Sequence, residues 1–145
     1  MNFITIIFIL LIFVQNSLEG RGFKRIQVVG VKGKILCKGR NYGTTRVKLT
    51  NHISFRNISV MDSISSKKNG DFYVRGHHFG YYFIRPFLEI FHKCYHRGYQ
   101  CYRKISIRVP ADYIFKGPII KDFYDVGTIN LAKNGYQSKI CSKPY

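Results

Sequence analysis

Apolar side chains recur at every second position along most of the chain beyond residue 26, and a period of two restricts such a chain to strands. In "QVVGVKGKILC" Val29, Val31, Ile35 and Cys37 share one face, and Lys32 and Lys34 share the other. "TRVKLT" sets Val47 and Leu49 against Arg46 and Lys48. "FLEIFHKCYH" alternates Leu88, Ile90, His92, Cys94 and His96 with Phe87, Glu89, Phe91, Lys93 and Tyr95. "CYRKISIRVP" alternates again, with Ile105, Ile107 and Val109 opposed to Lys104, Ser106 and Arg108. One apolar and one polar face per strand is the signature of half-buried antiparallel sheets.

Turn chemistry separates these runs. "KGRNYG" follows the first, giving a natural hairpin with the second. Asn69-Gly70 is the dipeptide favoured where a tight hairpin turn needs positive φ, and "DFYV" after it reads as a strand. One short strand is expected within Phe55 to Ile64. After Pro110, "ADYIFKG" reads as a turn with a short helical or irregular piece, "FYDVGTINLAK" as a last strand, and the rest as a tail containing Gly135 and Cys141. No helix long enough for a parallel α/β crossover intervenes. The expectation is an all-β antiparallel sandwich of about seven to eight strands.

The chain of 145 residues has room for one domain. It begins with an apolar run, Phe3 to Val14, followed by "QNSLEG". The run is shorter than the ~20 residues a bilayer-spanning helix needs. It is read as an export signal over residues 1–20, leaving a domain at 21–145 and no transmembrane segment. Losing residues 1–20 removes Glu19 and no Lys or Arg, raising the formal charge from +17 to +18. So basic a protein is drawn to polyanions, which outside a cell are anionic phospholipids, sulfated glycans or acidic protein surfaces. The cations are spread along the chain without a basic tail, and the interleaved aromatics read as core and strand surface, so nucleic acid is not an expected partner.

Four cysteines, Cys37, Cys94, Cys101 and Cys141, in an exported chain imply two disulfides, with three pairings open. Cys94 and Cys101 end two neighbouring strands, so a bridge between them could close the loop 95–100. A competing reading is a metal site, since His92, Cys94 and His96 at i, i+2 and i+4 share one strand face; but structural zinc needs four ligands, and an oxidising compartment consumes thiols. No metal and no cofactor are expected. "NIS" at Asn57 to Ser59 is an N-glycosylation sequon if Asn57 lies on an exposed loop of an exported chain.

Nothing points to catalysis. His52, His77, His78, His92 and His96 accompany no nucleophile elbow, zinc-protease motif or phosphate loop. His77-His78, with a glycine on each flank in "RGHHFG", reads as part of a surface turn. Asp122 and Asp125 are a close carboxylate pair, for which a structural role is the simpler reading.

In order and spacing, "VVGVKGKILCKGRNYGTTRVKL", "NGDFYVRG", "FLEIFHKC", "KISIRVPADYI" and "DVGTINL" resemble the transthyretin-like family of nematode secreted proteins, from about Gln27 to Cys141. The resemblance implies a transthyretin-type (prealbumin-like) β-sandwich, an export signal, an extracellular role, and pairing of Cys94 with Cys101 and of Cys37 with Cys141. It places Asp125 in the "DVGTINL" strand. There are departures. Family members commonly carry acidic residues after the second strand, where "TNHISFRNISVMDS" has Asp62 alone. The related hydroxyisourate hydrolases end in Tyr-Arg-Gly-Ser, whereas this chain ends "CSKPY", so that activity does not carry over. Thyroid-hormone binding does not follow either, because it needs a tetramer channel.

The resulting expectation is a non-enzymatic extracellular binding module presenting basic loops to an anionic partner: a protein receptor, a phospholipid surface or a sulfated glycan. The alternative is an extracellular carrier of a small apolar ligand.

Overall fold

A computed structural model describes residues 2–18, 22–94, 101–133 and 137–141. A helix, α1 (Phe3–Leu18), precedes ten strands: β1 (Arg25–Cys37), β2 (Arg40–Asn41), β3 (Arg46–His52), β4 (Ile58–Ser65), β5 (Asp71–Gly80), β6 (Pro86–His92), β7 (Tyr102–Arg108), β8 (Ile114–Lys116), β9 (Tyr124–Asn130) and β10 (Ser138–Ile140). They form two five-stranded sheets. In sheet A, β1 is flanked by β2 and β5 along one edge and by β8 and β9 along the other. Sheet B has the order β10-β7-β6-β3-β4.

The alternation read in the sequence decides which side chains meet between the sheets. From sheet A, Val29, Val31, Ile35, Phe72 and Val74 point inward and are buried. From sheet B they meet Val47, Leu49, Leu88, Ile90 and Ile105. Burying side chains of this size yields about 1.5–3 kcal/mol each before entropy is counted, which makes the interior the main source of stability. The Asn69-Gly70 turn joins β4 to β5, with Gly70 at φ +89°.

The strand count exceeds the expected seven to eight because three elements, β2, β8 and β10, are only two or three residues long and show no period of their own. "ADYIFKG" is a 3₁₀ turn at Ala111–Tyr113 followed by β8. One pair is parallel. β8 runs antiparallel to β1 beside Gln27–Val29, the chain reverses through residues 117–123, and β9 then runs parallel to β1 beside Val31–Leu36. Residue 30 falls in the gap between the two pairings, and it is a glycine: a Cβ there would lie 2.7 Å from ring atoms of Phe123. The reversing segment is thereby laid onto the outer face of sheet A.

The outer face of sheet B shields itself. Glu89 on the central strand β6 is buried beneath Lys104, whose Nζ donates to its Oε1 at 3.1 Å, and His52, with Nε2 at 3.7 Å. Lys48 Nζ lies 5.3 Å from the Phe91 ring centroid, and His52 stacks on Phe87 at 4.2 Å. Long side chains lying flat on the strands keep this face covered with their own methylenes.

Residues 3–12 of α1 are exposed, and α1 belongs to neither sheet. Among the described residues no helix is long and apolar enough to cross a membrane.

Candidate functional site

At Gly80 the chain leaves sheet A, and residues 81–85 cross to sheet B. Two buried amides hold this crossing. Gln27 is on the inward face of β1; its Nε2 donates to the Tyr82 carbonyl at 2.8 Å, and its Oε1 accepts the Ile84 N–H at 3.1 Å. From sheet B, Asn51 Oδ1 accepts the Arg85 N–H at 2.8 Å, while the His52 N–H donates to the Arg85 carbonyl at 3.0 Å. Ile84 is the buried anchor. Backbone groups that would otherwise be buried unpaired are thus satisfied, and the loop is tied to both sheets.

That fixed loop turns its rings to solvent. Tyr81, Tyr82 and Phe83 are 59, 82 and 69% exposed, and Phe23, Ile26, Phe79 and Ile119 at the same end of sheet A are exposed too. Cations sit among them: Lys24 Nζ is 5.8 Å from the Phe79 ring and 5.4 Å from that of Tyr81, and Lys116 Nζ is 5.6 Å from that of Phe83. Scattered exposed apolar residues need no explanation, whereas a contiguous aromatic group on a rigid support marks a contact surface.

Beside it, segment 117–123 and the outer face of β1 and β5 enclose an open groove of about 610 Å³. Ile26, Val28, Ile119 and Phe123 supply apolar walls, and Arg75 and His77 supply polar ones. The Arg75 guanidinium lies 5.3 Å from the Phe123 ring. The surface offers apolar contact, aromatic faces and positive charge in one place.

The sequence profile described as the transthyretin-like family matches residues 32–110, more than half of the chain. The protein belongs to the transthyretin-like family. Transthyretin-like protein 5 of Caenorhabditis elegans is 38% identical over 109 residues, covering 73% of this chain and 77% of that one. Transthyretin-like protein 2 of the same organism is 31% identical over 114 residues (74% and 77%), and transthyretin-like protein 33 is 28% identical over 106 residues (72% and 74%).

The disulfides of this transthyretin-like chain differ from the pairing that the resemblance implied. Cys37 is bonded to Cys94 and Cys101 to Cys141. Cys37 ends β1 in sheet A and Cys94 follows β6 in sheet B; both point inward at one end of the sandwich, with Cα atoms 5.9 Å apart, so the bond staples sheet to sheet. Cys101 and Cys141 continue the β7–β10 ladder beyond the Tyr102–Ile140 pair. Pairing Cys94 with Cys101 would leave both of these partners behind.

The metal reading loses Cys94 to its disulfide, and His96 lies outside the described residues. Among the described residues no group of three or more His, Cys, Asp or Glu is placed to hold a metal. His92 is instead buried and structural. Its Nδ1 accepts the Cys94 N–H at 3.2 Å, and its Nε2 meets Gln137 Oε1 at 3.1 Å, while Gln137 Nε2 donates to the Leu131 carbonyl at 2.9 Å. A backbone N–H only donates, so the neutral ring carries its proton on Nε2.

His77 and His78 lie within β5, not in a turn; the flanking glycines, Gly76 and Gly80, are themselves strand residues. Asp122 Oδ1 accepts the Phe123 N–H, and Asp125 Oδ1 accepts the Gly127 N–H while its other oxygen is 3.8 Å from Lys32 Nζ. The first contact lies at the C-terminal end of the reversing segment, and the others lie where β9 begins to pair with β1. Asn57 is exposed in the turn between β3 and β4.

Gln27, Asn51, Glu89 and the Tyr81–Phe83 run are the residues that sequence reading passed over. Gln27 and Glu89 had a signal, each being a polar residue in a strand whose neighbours are all apolar.

Proposed function

We propose that this transthyretin-like protein is an exported, non-enzymatic binding module that docks on an anionic phospholipid surface through the aromatic end of sheet A. The observation that carries this reading is the Tyr81–Phe83 loop, clamped by Gln27 and Asn51 with its rings in solvent and Lys24 and Lys116 among them. Aromatic rings favour the headgroup region of a bilayer, and lysines beside them are attracted by anionic lipid, about 1 kcal/mol per cation near the surface. An apolar α1 ahead of the sandwich and two disulfides support export.

Cosedimentation with vesicles tests it. Phosphatidylcholine vesicles doped with phosphatidylglycerol should capture the protein, undoped ones should not, and salt should weaken capture steeply. Binding to heparin without binding to vesicles would favour a glycan. Indifference to both would favour a protein receptor.

The groove favours a second reading, a carrier of a small apolar ligand. Its volume falls in the range of small-molecule sites. Such binding should hardly respond to salt, which separates the two.

A further inference from the structure

We propose that Asn57 carries an N-linked glycan whose first sugar ring lies on the ring of Phe55. The inference rests on the export reading above. The sequence Phe55-Arg56-Asn57-Ile58-Ser59 puts an aromatic residue two positions ahead of the sequon asparagine. The structure places it at the tip of the β3–β4 hairpin, where the Asn57 N–H donates to the Ser54 carbonyl at 3.3 Å and the Asn57 carbonyl accepts the N–H groups of Ile53 and Ser54 at 3.0 and 3.3 Å. Phe55 and Arg56 are therefore the central residues of a closed turn, on which a transferase has free approach to Asn57.

Phe55 is 104% exposed, the most exposed large apolar side chain in the described chain, on backbone that is hydrogen-bonded in place. A phenyl ring held wholly in water wants an apolar partner. The C–H face of a pyranose attached two residues away is a partner of the right shape, since its hydrogens meet the negative face of the ring.

The neighbouring edge gives the glycan a purpose. β4 is the outer strand of sheet B, and Ile58 and Val60 near its start are 47 and 54% exposed. Open strand edges with apolar side chains invite pairing with a second chain. The far half of β4 is blunted by an irregularity in its pairing with β3 at Leu49/Thr50, beside Asp62, whose Oδ2 accepts the Arg75 N–H of β5 at 3.4 Å. A glycan at Asn57 would guard the near half.

The covalent step is a displacement. The Asn57 side-chain nitrogen bonds to the anomeric carbon of a lipid-pyrophosphate-linked oligosaccharide, that carbon's bond to phosphate oxygen breaks, the lipid pyrophosphate leaves with the electron pair, and the amide loses one proton. The host transferase supplies the donor, and no oxidant or reductant is needed.

The test is to express the chain from its own Met1 in insect cells and to measure the intact mass of protein from the medium, with and without peptide-N-glycosidase. One N-glycan is expected, absent in Asn57→Gln and in Ser59→Ala. The glycosylated protein should also melt higher than Asn57→Gln, and placing Phe55→Ala in both backgrounds should erase that difference. Exported, disulfide-bonded protein without a glycan would overturn the proposal and leave export standing. Protein retained in cells with reduced cysteines would overturn both. A melting difference that survives Phe55→Ala would remove the stacking, as would loss of vesicle capture in Phe55→Ala protein bearing no glycan.

Discussion

Gln27, buried in the first strand of sheet A, holds the carbonyl of Tyr82, a residue 82% exposed, at 2.8 Å. One side chain thus connects the inward face of a strand to the most exposed ring of the 81–85 crossing. Gln27→Leu keeps the bulk but removes both hydrogen bonds, leaving the Tyr82 carbonyl and the Ile84 N–H unpaired. A loss of about 1–3 kcal/mol is expected in urea unfolding. Vesicle capture should fall as well, at temperatures where the variant remains folded, because the rings lose their fixed placement.

Exposed residues of the same surface should behave in the opposite way. Phe83→Ser and Lys116→Ser remove groups that support nothing inside the sandwich, so stability should stay within about 0.5 kcal/mol. Capture by phosphatidylglycerol-containing vesicles should weaken in both. Only Lys116→Ser should also flatten the salt dependence, since it alone removes a charge. Unchanged binding in both variants would place the contact surface elsewhere.

How much of this was legible in the sequence follows from side-chain period. Val29, Val31 and Ile35 on β1, and Leu88 and Ile90 on β6, announced the two sheets because each strand is long enough to repeat its alternation. β8 and β10 were hidden because three residues carry no period, and hiding β10 hid the partner of Cys101. The other disulfide had a signal in the strand phase: Cys37 falls in step with Val29, Val31 and Ile35, and Cys94 with Leu88 and Ile90, so both point into the space between the sheets. Proximity in sequence favoured Cys94 with Cys101, whereas strand phase favours a bond across the sandwich. The Gln27 clamp was less legible, since hydrogen bonds spanning 55 and 57 residues follow from tertiary structure and no local pattern encodes them.

Non-reducing peptide mapping should therefore recover Cys37 linked to Cys94 and Cys101 linked to Cys141. Replacing Cys37 and Cys94 together by serine should cost about 2–4 kcal/mol, because the bond closes a segment of 57 residues and its sulfur atoms pack among core side chains. A peptide containing Cys94 joined to Cys101 would contradict the sheet-to-sheet staple.

Glu89 offers a separate check on the outer face of sheet B. With its side chain 7% exposed and Lys104 Nζ 3.1 Å away, it belongs to a largely buried ion pair. Removing one partner of such a pair strands the other: Glu89→Leu should destabilise by about 2–4 kcal/mol, and adding Lys104→Met should recover most of that loss. Chemical denaturation of the two single variants and the double variant gives the coupling. Additive losses would mean that the pair contributes nothing as a pair.

Gly30 and Phe123 decide whether segment 117–123 stays on sheet A. The 2.7 Å that separates an added Cβ from the Phe123 ring is too short for two carbon atoms, so Gly30→Ala must push the ring outward. The ring cannot move freely, since it is engaged by Arg75 at 5.3 Å and packs edge-on to Tyr73 at 6.2 Å. A destabilisation of about 1–3 kcal/mol is expected, as for overpacking elsewhere. Phe123→Ala alone should also destabilise, by removing a half-buried ring from the groove wall. In the double variant the added methyl group has nothing to strike, so the two losses should sum to more than the measured one. The difference, read from urea unfolding of all four proteins, measures the contact directly. Strict additivity would mean that the reversing segment is held by the β8 and β9 pairings alone, and that the groove wall is free to move.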